Sequence, residues 1–246
     1  MKDFFSAFGE AAERGLPPVM VSGRHIFHGP TIAAIVDDIV VKLRPKGNAR
    51  LLEIGCGVGL MLRLLAPLVA EAVGIDHCSL LREFSALKPP ANVRLVVGRF
   101  PEIRPEGRFD HILVYSVLQY MAGADEARCF VNASLELLAP GGSLLIGDLP
   151  NADSQRRFCS STEGRRVTEA YTLARFADQE LNPAAYAAWA DIQRDVVMPP
   201  SFIDDRFLSA LLVDLRRQGY ESYLLPQPHA LPFSLTREDV LIRHRG

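Results

Sequence analysis

Three glycines and one carboxylate carry the strongest chemical signal in this chain. Glycine stands at 55, 57 and 59 in the run Leu51-Leu52-Glu53-Ile54-Gly55-Cys56-Gly57-Val58-Gly59, and Gly74-Ile75-Asp76 closes the next apolar run. Glycine lets the backbone turn sharply and lets a ligand lie against bare main chain. A helix that starts after such a turn points unpaired N–H groups and its positive dipole end into the same space. Asp76 can accept hydrogen bonds from the two hydroxyls of a ribose. The combination predicts a nucleoside-cofactor site. The dinucleotide fingerprint G-x-G-x-x-G would need its third glycine at position 60, where Leu60 stands, so NAD is the weaker expectation.

The phrase is E-x-G-x-G-x-G, with Glu53 two residues before Gly55. It resembles motif I of the class I S-adenosylmethionine (SAM) methyltransferases, and Gly74-Ile75-Asp76 resembles their motif II. The resemblance implies that Glu53, Gly55, Cys56, Gly57 and Gly59 belong to the loop under the amino-acid part of SAM. It implies that Asp76 holds the ribose, with His77 lining the ribose or adenine pocket. The third strand leads to Arg99 and Phe100, where similar enzymes often place an acid against the adenine amine. Here Phe100 could stack on the purine, or backbone could read its edge. In Phe109-Asp110-His111-Ile112-Leu113-Val114-Tyr115-Ser116-Val117-Leu118-Gln119-Tyr120, the resemblance places Ser116 at the methionine part of SAM. Gln119 and Tyr120 then face the acceptor. Leu138-Ala139-Pro140-Gly141-Gly142-Ser143 and the strand ending at Asp148 match the family's Pro-Gly-Gly turn and fifth strand. Residues 49–149 carry the likeness closely and the C-terminal strands loosely.

SAM brings its own electrophile, so the protein must hold an acceptor in line behind the methyl and exclude water. Orientation of that kind supplies ~7–11 kcal/mol in favourable intramolecular cases, and a general base adds ~10²–10⁴ in rate. His229 is the expected base, because the loop Pro226–Pro232 should open at the active-site edge. Asp148 either orients the acceptor, acts as base, or caps the first turn of the following helix. His28 is expected to contact substrate or close over the cofactor. Tyr171, Tyr186 and Trp189 form an aromatic wall or pack as core. A hard cation needs several converging carboxylate or amide oxygens, and Asp148 has no Asp or Asn partner near Ser116, so metal independence is expected. The Asn/Asp-Pro-Pro-Tyr/Phe turn of DNA amino-methyltransferases is absent.

These residues need a sheet to carry them. Apolar runs at 50–55, 72–76, 93–98, 110–115 and 143–148 are separated by helical patterns at 59–69, 79–87 and 124–138. That alternation argues for parallel strands covered on both faces. Helical spacing also marks 2–14 and 30–44. The expected fold is α/β: a seven-stranded, mostly parallel Rossmann-like sheet with its last strand antiparallel. One domain is expected, with N-terminal helices at 1–48, a SAM-binding core at 49–149, a helical lid at 150–199, and a last helix and strand pair at 200–246. The last helix is expected to start at Pro199-Pro200-Ser201 and end at Gly219.

At 246 residues the chain suits one α/β domain with an insertion. A net charge of −2 calls for neither nucleic acid nor an anionic membrane, and the arginine pairs read as solvated helix faces. Single cysteines at 56, 78, 129 and 159 fit reduced thiols, and with no leader layout or long apolar run the expected location is cytoplasmic. The function expected is metal-independent, SAM-dependent O-methylation of a small-molecule or saccharide hydroxyl, yielding S-adenosylhomocysteine (SAH). N- or C-methylation stays open, as do a homodimer and a catalytically silent SAM-binding scaffold.

Overall fold

The computed structural model describes residues 2–197, 199 and 201–245. Seven strands make one sheet: β1 (Arg50–Ile54), β2 (Glu71–Asp76), β3 (Val93–Val97), β4 (Phe109–Tyr115), β5 (Leu138–Pro150), β6 (Glu221–Pro226) and β7 (Arg237–Arg243). Their order is β3-β2-β1-β4-β5-β7-β6. The first five run parallel, and β7 lies antiparallel between β5 and β6. The order reverses between β1 and β4, so a crevice opens at their carboxyl ends, where open α/β sheets bind ligands.

Among the described residues ten α-helices surround the sheet: α1 (Phe4–Glu13), α2 (Pro18–Val21), α3 (Ile32–Leu43), α4 (Leu62–Leu65), α5 (Cys78–Ala86), α6 (Ala124–Leu135), α7 (Ala152–Ser160), α8 (Thr162–Leu181), α9 (Pro183–Gln193) and α10 (Asp205–Arg217). Alternate strand residues feed two separate cores, as the two-residue period of a strand requires. Leu52, Ile54, Ile112, Val114, Leu144, Ile146, Val240 and Ile242 pack under α6 and α10. Leu51, Leu113, Leu145 and Leu241 pack under α3, α4 and α5. A third cluster joins Ala7 and Ala11 of α1 to Val58, Leu80 and Ile192, which sets α1 and α9 over the glycine turn.

The helix expected over 59–69 is much shorter. Gly59 has φ +72°, which delays the helical start, and after Leu65 the chain tightens into a 3-10 turn (Ala66–Leu68). Pro67 supplies no N–H and its ring would strike the carbonyl of Arg63, so an α-helix cannot continue. The last helix begins at Asp205, because Asp204 caps it by accepting from the Phe207 N–H at 2.7 Å. Pro200, in the expected start, lies outside the described residues. The stretch expected as a lid is helical as α7, α8 and α9. Asn151, not Asp148, caps it, accepting from the Asp153 N–H at 2.9 Å and the Ser154 N–H at 3.2 Å. Among the described residues no helix is long and apolar enough to cross a membrane.

Candidate functional site

A cavity of about 380 Å³ lies beyond the carboxyl ends of β1, β2 and β4. Gly55, Cys56, Gly57, Val58, Asp76, Arg99, Phe100, Ser116, Val117 and Tyr120 line it, and Phe4, Phe5 and Phe8 of α1 close it from above. Gly57 has φ +56°, and a Cβ placed there would meet nothing within 4 Å. Main chain therefore faces the cavity without side-chain bulk. Gly55 and Gly59 have a different reason to be glycine. A Cβ at 55 would come within 2.5 Å of Val117, and one at 59 within 2.3 Å of the Phe84 ring. Cys56 is buried and packs toward Gly74, so its backbone serves the cavity.

Asp76 ends β2 with one carboxylate oxygen accepting from the Gly57 N–H and the other from the His77 N–H, both at 2.7 Å. Burial pushes its carboxyl up, and the two backbone N–H bonds act against that shift. Each oxygen keeps a lone pair for a hydroxyl donor. Glu53 stands behind the loop at 1% exposure, and neither of its oxygens has a hydrogen-bond partner. Burial first, then the Asp76 charge, drives Glu53 well above the ordinary carboxylate range. An unpartnered buried carboxyl is costly, and a cation delivered to it would remove much of that cost. At the other end Arg99 pairs with Asp3 and lies over the Phe5 ring at 4.7 Å. Phe100 packs edge-on against Phe130 at 5.1 Å and still lines the cavity.

A second constellation adjoins the cavity at the ends of β4 and β5. Ser116 and Asp148 both hold left-handed backbone, at φ +58° and +61°. Such strain in non-glycine residues persists only where the surroundings enforce it. The Ser116 hydroxyl donates to Asp148 Oδ2, which also receives Arg24 Nη2 at 3.2 Å. Arg24 Nη2 reaches Ser116 Oγ at 2.8 Å as well. Asp148 Oδ1 has only an ion-pair contact, with Arg237 Nε at 3.8 Å, and accepts no hydrogen bond among the described residues. Asp148 is 4% exposed.

Around this pair stand aromatic and histidine side chains. His28 is buried against Phe27 (4.2 Å), Phe233 (5.3 Å) and Tyr171 (6.0 Å), and its Nδ1 lacks a partner. Burial, then His25 and Arg24, lower its pKa to about 4 despite Asp148 and Asp178, so the imidazole is neutral. Tyr171 comes from the lid, and burial pushes its hydroxyl up to about 12. Asp178 fastens the lid to the N-terminal segment. It accepts from the Ile26 N–H at 3.1 Å, the Phe27 N–H at 3.4 Å and the Tyr186 hydroxyl at 2.5 Å. The Tyr186 hydroxyl also meets His25 Nδ1 at 3.0 Å.

Of the residues singled out in the sequence, the cavity gathers Gly55, Cys56, Gly57, Asp76, Arg99, Phe100, Ser116 and Tyr120. Glu53 and Gly59 support its loop from behind. His77 is not at the cavity wall: its ring caps α5 by accepting from the Ser79 N–H at 3.2 Å and packs against Phe5 at 5.1 Å. Asp148 and His28 occupy the adjoining constellation. Gln119 lies beside Tyr120 with Oε1 buried and unpartnered. His229 sits on an exposed turn and does not line the cavity. Trp189 stacks on Phe8 at 5.5 Å. Arg24, Arg237, Asp178 and the three α1 phenylalanines were not singled out. Arg24 lies in a His- and Phe-rich run with no motif, and the α1 phenylalanines read only as a helical apolar face.

Glycine loop, carboxylate and sheet order together define a class: nucleoside-cofactor methyltransferases on a Rossmann-like sheet. Residues 52–146 match the family described as a methyltransferase domain. The matched region is a methyltransferase domain of the SAM-dependent kind, with SAM as its cofactor. Among curated relatives, it is 35% identical over 114 residues to Nodulation protein S of Rhizobium tropici, covering 46% of this chain and 47% of that protein. It is 30% identical over 113 residues to a Ubiquinone biosynthesis O-methyltransferase of Bartonella tribocorum, covering 44% of each. The chain thus spans less than half the length of these two relatives. Among solved structures, the N-methyltransferase NodS of Bradyrhizobium japonicum WM9 with bound SAH shares the fold over 100% of both chains, at a TM-score of 0.62 and 14% identity.

The residues fit SAM. Bare backbone at Gly57 leaves the space that its amino-acid part requires, Asp76 offers lone pairs to a ribose, and unpartnered Glu53 lies behind the loop that would hold the ammonium group.

Proposed function

We propose that this protein transfers the methyl group of SAM to a hydroxyl of a small molecule or saccharide. The observation that carries the reading is the adjacency of two sites at one sheet edge. Ser116 lines the cofactor cavity and donates to Asp148, whose Oδ1 accepts no hydrogen bond among the described residues and belongs to the neighbouring constellation. Bound SAM supplies a methyl on a cationic sulfur. The protein's share is to place an acceptor oxygen in line with it and to keep water out.

Asp148 is assigned the acceptor hydroxyl: its Oδ1 accepts the hydroxyl proton in a hydrogen bond and turns an oxygen lone pair toward the methyl. Arg24 and Ser116 fix the other carboxylate oxygen, so the group cannot swing. The His28 imidazole is neutral at pH 7 and offers Nδ1 as a second acceptor. Its low pKa makes it an orienting group, not a strong proton acceptor. Exposed His229 reaches an acceptor only if the loop following β6 folds inward, which makes Asp148 the better assignment. Tyr171, Phe27 and Phe233 form the wall of the acceptor space, and α8 covers it.

An amine acceptor is the second reading. Nodulation protein S is the relative at 35% identity, and the solved NodS structure is that of an N-methyltransferase. A carboxylate oxygen that accepts no hydrogen bond takes an ammonium or amine N–H as readily as a hydroxyl.

The test is calorimetric titration with SAM, SAH and NADH, followed by a SAM-consumption assay over paired phenol, sugar-alcohol and amine acceptors. Micromolar SAH binding, silence toward NADH and turnover with a hydroxyl acceptor are expected. Turnover only with amines would move the assignment to N-methylation. SAH binding without turnover on any acceptor would support the scaffold reading instead.

A further inference from the structure

The left-handed backbone of Asp148 needs a cause, and the β5–β7 ladder supplies one. The pairing runs regularly from Ser143↔Arg243 to Ile146↔Val240, then resumes at Leu149↔Glu238 and Pro150↔Arg237. One extra residue has entered β5, so Gly147 and Asp148 together oppose Asp239. That is a β-bulge, a device that re-aims a side chain at a sheet end. The tight side of the bulge is fixed too, since a Cβ on Gly147 would come within 2.4 Å of the Tyr115 ring.

Side chains of β7 hold both main-chain groups of the bulged residue. Asp239 Oδ1 accepts from the Asp148 N–H at 2.9 Å, and Arg237 Nη1 donates to the Asp148 carbonyl at 3.0 Å. Asp239 is fully buried, and Lys42 Nζ donates to its Oδ2 at 2.7 Å and to Asp38 at 2.5 Å. Gln227 Nε2 bridges Asp239 Oδ1 (2.9 Å) and the Tyr115 hydroxyl (3.2 Å). A buried ion triad is an expensive way to gain stability, because desolvation offsets most of the attraction. Its placement against one strained peptide gives it a different use.

We propose that Asp239 is a positioning residue, holding the β5 bulge so that the Asp148 carboxylate points at Ser116, Arg24 and the acceptor. Arg237 completes the grip from the carbonyl side, and Lys42 with Asp38 keeps Asp239 oriented. The proposal rests on the acceptor role of Asp148 argued above, but its geometry is testable without an acceptor. Asp239→Asn keeps an oxygen for the Asp148 N–H and leaves Lys42 paired with Asp38. Asp239→Ala removes that oxygen.

The experiment compares crystal structures of the SAH complexes of wild type, Asp239→Asn and Asp239→Ala. Alongside them run calorimetric SAH titrations and the ¹³C-carboxyl resonance of Asp148, assigned with Asp148→Asn. Asp239→Ala is expected to release Asp148 from left-handed backbone, break its bond to Ser116 and shift its resonance, with SAH affinity within about threefold of wild type. Asp239→Asn is expected to restore all three. An unmoved Asp148 in Asp239→Ala would overturn the proposal, and so would its loss in Asp239→Asn. Should Asp239→Ala not fold, Arg237→Gln serves, because it cuts the grip at the carbonyl and must also shift the Asp148 resonance. Lost SAH binding by wild type would instead count against the methyltransferase reading and leave the bulge geometry to be judged on the structures.

Discussion

At the scale of single residues, the most informative group is Glu53, because it lacks a partner. A carboxyl at 1% exposure with both oxygens unbonded favours its protonated form, and its pKa lies well above the ordinary value. Folding of the free protein therefore takes up a proton there. That contribution to stability is full below the unfolded-state pKa and is lost as pH rises through the raised folded one. A cofactor ammonium brought beside Glu53 favours the ionised form and lowers the pKa again. SAH binding should then release a proton wherever the pH lies between the bound and free values. Affinity should rise with pH through that window and level above it. Titrations of SAH in buffers with different protonation enthalpies measure the release directly. Glu53→Gln should abolish it and leave the apparent enthalpy independent of buffer. An unchanged release in Glu53→Gln would remove Glu53 from the ammonium. Asp76 lines the cavity itself, in front of the loop that Glu53 supports. Asp76→Ala should weaken SAH by ~1.5–3 kcal/mol if its carboxylate takes charge-assisted hydrogen bonds from the ribose.

At the scale of elements, Asp178 is the polar point at which α8 of the lid meets the N-terminal segment. The 20-residue α8 buries only Gly164 and Asp178, and Asp178 binds the segment carrying Arg24, His25 and His28, joined there by the Tyr186 hydroxyl at His25. Asp178→Ala should cost ~1.5–3 kcal/mol, the range for hydrogen bonds to a charged group. Hydrogen exchange should quicken at 25–28 and 171–186 while β1 and β4 stay protected, and the SAH Kd should hold. Equal exchange in lid and core would mean that α8 is fixed by something other than Asp178. This latch also marks where the sequence stopped being readable. The strand pattern, the Gly55–Gly59 turn and Asp76 were legible because each follows from a local rule: apolar runs, left-handed glycine backbone, a carboxylate at a strand end. The antiparallel last strand was legible through the family resemblance. Arg24, Asp178 and Asp239 were not, because each acts on a residue 91 to 152 positions away in sequence. His77 was read as pocket lining from its position after Asp76, yet the start of α5 claims its ring as a cap. His229 followed the reasoning that loops at the strand ends face the site, but Gln227, two residues earlier, is the side chain that turns inward.

At the scale of the whole molecule, the two large cores under the sheet hold its shape, and the small third cluster holds the cover of the cofactor cavity. That cluster joins α1 and α9 to Val58 and Leu80. Outside it, α1 is tied by partly exposed pairs, Asp3 to Arg99 and Arg14 to Asp191, and by Ser79 Oγ donating to Glu13 at 2.6 Å. Exposed ion pairs contribute little, so α1 should open well below the free energy of global unfolding and admit the cofactor. SAM or SAH in the cavity would lie between the α1 phenylalanines and the glycine loop that line it, and so tie the weak unit to the strong one. Mass action sets the size of the effect: ~2.7 kcal/mol at a hundredfold excess over Kd. For a chain of this length that corresponds to a rise in Tm of roughly 5–10 °C. SAH at that excess should produce the rise, NADH should produce none, and α1 amides should slow in exchange more than those of β4. A rise in Tm with no slowing in α1 would show that the cofactor binds the glycine loop without its cover, and α1 would then lose its place in the site.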